Sequence, residues 1–122
     1  MADEEEEHDF EHFSMYCTSL IVGYPAHCDL VYGGTVVFNL ENCLRKYLVS
    51  SMDINKPCDD KSFHANQYMS ELSMGILDQY FTHFTNGVQR GCEILKSLHT
   101  NNTSECRVNA KNRRITIVFG LN

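Results

Sequence analysis

The chain has 122 residues, 43% hydrophobic and 21% charged, with 16 acidic and 10 basic side chains. That balance excludes a chain too polar to fold, and this length can bury roughly two thirds of the surface its unfolded form exposes. No apolar run nears the roughly 18 residues a membrane span needs and no secretory signal pattern opens the sequence, so we expect an intracellular protein, cytoplasmic or nuclear, with no membrane partner.

The charge is unevenly spread. Residues 1–12, MADEEEEHDFEH, hold seven of the 16 acids and no Lys or Arg, which leaves nine acids against ten bases in the rest. Like charges at this density repel and bury nothing, so the expectation is a disordered acidic tail over 1–12 and a single domain over 13–122. A sharper alternative folds the tail back onto the basic stretch Arg107 to Arg114. His8 and His12 stand four apart, but a disordered tail would hold metal there only weakly.

From His12 to Val22, HFSMYCTSLIV places β-branched and aromatic residues on both alternating faces and reads as a first strand. GYPAHCD is a turn-rich connector. LVYGGTVVF then sets Gly33-Gly34 between two β-rich runs, the signal of a tight hairpin, or of a bulge in one longer strand. It is not a phosphate loop, because no Gly-Lys-Ser/Thr follows. Asn39 is a good N-cap, Glu41 sits in the first turn, and Leu40, Cys43, Leu44, Tyr47 and Leu48 recur at helical spacing, predicting a short amphipathic helix over 40–52. DINKPCDDK ends it.

Ser62 is a candidate cap for a second helix, and Met69, Leu72, Ile76, Tyr80, Phe84, Val88, Cys92 and Leu95 carry the helical period as far as Leu98. Unbroken, residues 62–99 would run about 57 Å, whereas a folded chain of this size has a radius of gyration of about 14 Å. The helix therefore either breaks at Thr85-Asn86-Gly87, where Asn-Gly is a stop signal, or projects onto another chain. Gly75, Gly87 and Gly91 each cost about 1 kcal/mol against alanine in a helix, and close helix approach is one compensation. After the polar HTNNTSE, the segment CRVNAKNRRITIVFG returns to period two across a turn near Ala110 to Asn112 and predicts a terminal hairpin. Cys106, Val108, Ile115, Ile117 and Phe119 share one face, with Arg107, Arg114, Thr116 and Val118 on the other. The fold class expected is α+β: a mainly antiparallel sheet, from an N-terminal strand and hairpin and a C-terminal hairpin, packed by one short and one long helix.

Six cysteines (Cys17, Cys28, Cys43, Cys58, Cys92, Cys106) lack CxxC spacing and any secretory signal, so they read as reduced thiols with no metal site and no cofactor. The overlapping sequons at Asn101 and Asn102 matter only in a secreted chain and carry no weight in this reading. His27-Cys28-Asp29 has the residue types of a thiol nucleophile, but adjacent side chains diverge; Cys28 with a remote His64 or His83 is the remaining enzyme reading. His83 itself, between Tyr80 and Phe84, fits a core-facing histidine, and Glu71, Asp78 and Glu93 fit a solvated helix face.

Two binding readings remain. Arg107, Lys111, Arg113 and Arg114 on a two-stranded ribbon would meet phosphates of a nucleic acid, opposed by the near-neutral body and the acidic tail. The overlong helix, the Gly87-x-x-x-Gly91 pair and a chain-terminal apolar strand point instead to a protein partner, self or another subunit, through Ile76, Tyr80, Phe84, Gly87, Val88, Gly91, Thr116 and Val118. The favoured expectation is a non-enzymatic interaction or assembly subunit, with nucleic-acid binding second and a cysteine enzyme third.

Overall fold

A cap, not a strand, opens the folded body. Asp9 accepts a hydrogen bond from the His12 amide at 3.0 Å and its carbonyl receives the Phe13 amide, the arrangement that starts a helix. In the computed structural model, which describes residues 8–27, 35–98 and 102–121, this helix is α1 (Phe10–His27). Side chains are described throughout those ranges except at 24–27, 102–104 and 119–121. The first-strand expectation over His12 to Val22 is therefore corrected. Phe13, Cys17 and Ile21 are equally one face of a strand and one stripe of a helix; the helix wins because it buries them together with Ser14 while exposing Glu11, His12, Met15 and Ser19. The folded body also begins earlier than expected: residues 8–12 belong to it, and residues 1–7 lie outside the described range.

The strand β1 (Thr35–Asn39) leads directly into α2 (Leu40–Ser50). Asn39 caps α2 as its chemistry predicts, accepting from the Asn42 amide at 2.7 Å. Leu40, Cys43 and Leu44 turn inward. The Gly33-Gly34 turn lies outside the described residues, and the described partner of β1 is the far end of the chain rather than a local hairpin strand.

The stretch 62–99, read as a helix that either breaks at Thr85-Asn86-Gly87 or projects onto another chain, is two helices: α3 (Cys58–Ser70) and α4 (Met74–Leu98). α3 starts four residues before Ser62, directly after Pro57, with Asp59 and Asp60 in a first turn whose partial positive charge favours them. The break falls at Glu71 to Ser73, where Ser73 Oγ accepts the Ile76 amide at 3.2 Å and the Ser73 carbonyl accepts the Leu77 amide at 3.0 Å. Asn86-Gly87 does not stop α4. The glycine is spent on packing: a Cβ at Gly87 would lie 2.3 Å from the Ser14 carbonyl oxygen, and one at Gly91 2.6 Å from Ile21 Cβ. Thr18 Oγ1 closes the same seam, within 2.9 Å of the Gly87 carbonyl and 3.1 Å of the Ser14 carbonyl. At 25 residues, α4 extends about 38 Å and packs along α1.

The terminal hairpin forms as read, with β2 (Asn102–Asn109) and β3 (Arg114–Leu121). β3 is central in a three-stranded antiparallel sheet of order β1-β3-β2, so the last strand is paired on both sides within the chain's own sheet. Register places Ile117 between Val36 and Cys106, and Ile115 between Phe38 and Val108, all on the inner face. That face meets α4 and continues into one core of Phe13, Leu40, Leu44, Tyr80, Phe84, Val88, Ile115 and Ile117. The α+β class with a mainly antiparallel sheet holds, carried among the described residues by four helices rather than two.

Candidate functional site

The residues singled out from the sequence divide sharply. Tyr80, Phe84, Gly87, Val88 and Gly91 are buried inside the chain's own α1–α4 seam, and Ile76 packs against the core beside them. Thr116 and Val118 lie instead on the outer face of the sheet, where three register rows run across it. These are Thr35, Val118 and Glu105; then Val37, Thr116 and Arg107; then Asn39, Arg114 and Asn109. No residue of the nine is buried, and Val37 is 55% exposed. An antiparallel sheet with one face on a core and one open is a common arrangement, and its open face is normally polar. Here Thr35, Val37, Thr116 and Val118 form a β-branched block, flanked by Arg114 on β3 and by the β2 pair in which Arg107 Nε donates to Glu105 Oε1 at 3.2 Å. Sequence reading missed Val37 because β1 was assigned to a local hairpin, so its alternation had no face to belong to.

The basic residues form a second feature. The loop between β2 and β3 folds onto the start of α2: the Leu40 amide donates to the Arg113 carbonyl at 2.9 Å, and Asn109 Oδ1 accepts the Asn112 amide at 3.2 Å. Arg113 takes a left-handed conformation (φ 50°) to close the turn, a geometry that costs an L residue about 1 kcal/mol or more. Between this loop, α2 and α3 lies an open cleft of about 760 Å³, lined by Arg45, Lys111, Arg113 and Arg114 among others, with Glu41 the one carboxylate among its described lining residues. Much of that charge is already matched. Arg45 donates to Asn66 at 2.6 Å, Asn42 at 2.8 Å and Glu41 at 3.0 Å, and Arg113 reaches Asp78 Oδ1 at 2.8 Å. Of the four predicted phosphate contacts, Arg107 and Arg113 thus hold carboxylates, while Lys111 and Arg114 are exposed without an ion pair among the described residues.

The enzyme reading turns on Cys28 with His64 or His83. Cys28 lies outside the described residues. His83 stacks on Phe10 with centroids 5.1 Å apart, and exposed His64 meets Phe63 edge-on. Burial raises the Cys17 thiol, with the Cys43 thiol adding to it, and pushes Cys43 up to about 11. Both move away from the thiolate a nucleophile requires. No group of three metal-binding side chains forms among the described residues, and none of their helices is long and apolar enough to cross a membrane. His8 is drawn into the body, its Nδ1 3.0 Å from the Tyr68 hydroxyl and 3.2 Å from that of Tyr80. No protein-family model, curated protein or solved structure matches this chain.

Proposed function

We propose that this chain is a non-enzymatic interaction or assembly subunit that works inside the cell, and that it meets its protein partner, a second copy or another subunit, through the outer face of the sheet. The observation that carries the reading is the open row of Thr35, Val37, Thr116 and Val118 beside the Glu105–Arg107 pair. A β-branched block flanked by charges gives an apolar contact with a built-in orientation. Light scattering of the full chain tests it: an assembly at low micromolar concentration should persist in high salt and dissociate in a Val37→Lys, Thr116→Lys variant that remains folded. A monomer at every concentration removes the self-association form of the proposal.

A second reading, binding of nucleic acid by phosphate contact, draws on the gathering of Lys111 and Arg114 with Arg45 and Arg113 around one cleft. Its signature runs the other way with salt, since each released counterion steepens the loss of affinity. With two of the four cations near the cleft already paired to carboxylates, that slope should be shallow. Lys111→Ala with Arg114→Ala would abolish it and leave a sheet-mediated assembly untouched.

A further inference from the structure

The thiols were expected to be reduced, and two of them lie side by side. Cys92 on α4, 3% exposed, and half-buried Cys106 on β2 hold their sulfurs 2.8 Å apart. Unbonded heavy atoms rest at about 3.5–4.0 Å, and a disulfide brings the sulfurs to about 2.05 Å. Closing the bond therefore takes a sulfur displacement of about 0.8 Å. The partners are fixed by the fold rather than by sequence spacing. Cys106 pairs in register with Ile117 on the inner sheet face, and that face lies on α4.

We propose that Cys92 and Cys106 are a thiol–disulfide pair, oxidised by a low-molecular-weight disulfide of the glutathione type, that locks β2 onto the last turns of α4. Cys106 reacts first because solvent reaches it and not Cys92. Its sulfur loses a proton and attacks one sulfur of the small disulfide, whose S–S bond breaks. One small thiolate leaves and takes up that proton. The Cys92 sulfur, losing its own proton, then attacks Cys106 Sγ and expels the second small thiol. Two protein thiols are oxidised to one disulfide, and one small disulfide is reduced to two thiols.

The hydrogen bond with Cys92, then burial, then the Cys92 charge raise the Cys106 thiol, while Lys96 opposes them. The exchange is accordingly slow near neutral pH, as suits a latch set by sustained oxidation rather than a fast sensor. This proposal is independent of what the outer sheet face binds, since both sulfurs sit on the opposite face.

The test is to equilibrate the full chain in a mixture of reduced and oxidised glutathione, quench by alkylation, and read the intact mass and the peptide map. The expected result is a loss of two hydrogens at this pair, no glutathione retained on Cys92 or Cys106 at equilibrium, and a linked peptide pair carrying the two residues. Cys106→Ser should remove that linked pair and the two-hydrogen loss with it. Recovery of both residues as alkylated thiols while other cysteines oxidise, or of Cys106 as a lasting glutathione adduct, would overturn the proposal. The unmodified chain alone decides this, so a poorly folding variant does not block the answer.

Discussion

The α1–α4 seam and the outer face of the sheet are made from overlapping residue types, small and β-branched, and they behave oppositely. In the seam, Gly87 and Gly91 bring backbone against backbone, and Thr18 spends its hydroxyl on carbonyls at the contact. On the sheet, Val37, Thr116 and Val118 form a surface with nothing described above it. The difference teaches that a small-residue pair on a helix reports close approach without saying to what. Gly87-x-x-x-Gly91 looked like a site for another chain, and its partner is eighteen residues of the same one.

Filling the seam should do the most damage. Gly87→Ala places a Cβ 2.3 Å from a backbone oxygen that has no rotamer to give way, and it should cost about 3 kcal/mol or more in urea denaturation. A cost under about 1 kcal/mol would mean the helices do not approach this closely.

Raising the pH probes the same interior by a comparable amount. Burial pushes the Cys43 thiol up to about 11 from its ordinary 9.0, and the Cys17 thiol also moves up. Below pH 9 the thiols keep their protons in both states and stability is level. Above it the unfolded chain loses protons that the folded chain retains, so stability falls until the folded value is passed. Cys43 alone should remove on the order of 3 kcal/mol between pH 9 and 11. Denaturation midpoints at pH 8 and 10.5 check this, and a Cys43→Ala variant should lose a smaller part over the same interval.

The mildest change sharpens the contrast by using the same substitution outside the seam. Gly75 is exposed in the first turn of α4, and the nearest atom to an added Cβ is Ser73 Oγ at 3.9 Å. Gly75→Ala should stabilise by about 0.5 kcal/mol, which a thermal midpoint shifted slightly upward would record. If Gly75→Ala and Gly87→Ala shift stability alike, the seam is not special. On the outer face, Val37→Lys should leave stability within about 0.5 kcal/mol even where it dissolves an assembly.

Where local chemistry decides, the residues were legible before any fold was known. Asn39 caps α2 because its side chain meets the first turn's amides whatever lies beyond, and the hairpin faces around Ile115 and Ile117 follow from alternation alone. The candidate site was only half legible. Thr116 and Val118 were visible as a face, but Val37 joins them solely because β1 crosses to β3, and Arg45 joins Lys111 and Arg114 only because the hairpin loop lands on α2.

Taken alone, the sequence settled the α+β class, the inward stripe of α2, the helical period of α4 and the terminal hairpin, since caps and hydrophobic periods act within a few residues. Tertiary structure decided that Phe13, Cys17 and Ile21 form a helix, that the break falls at Glu71 to Ser73 instead of Asn86-Gly87, and that β3 is central. The physical reason is one of scale. A residue's intrinsic preference amounts to a few tenths of a kcal/mol, while burying one side chain the size of Phe13 is worth about 1.5–3 kcal/mol. Wherever a segment satisfies two periods, the neighbour it packs against therefore chooses between them.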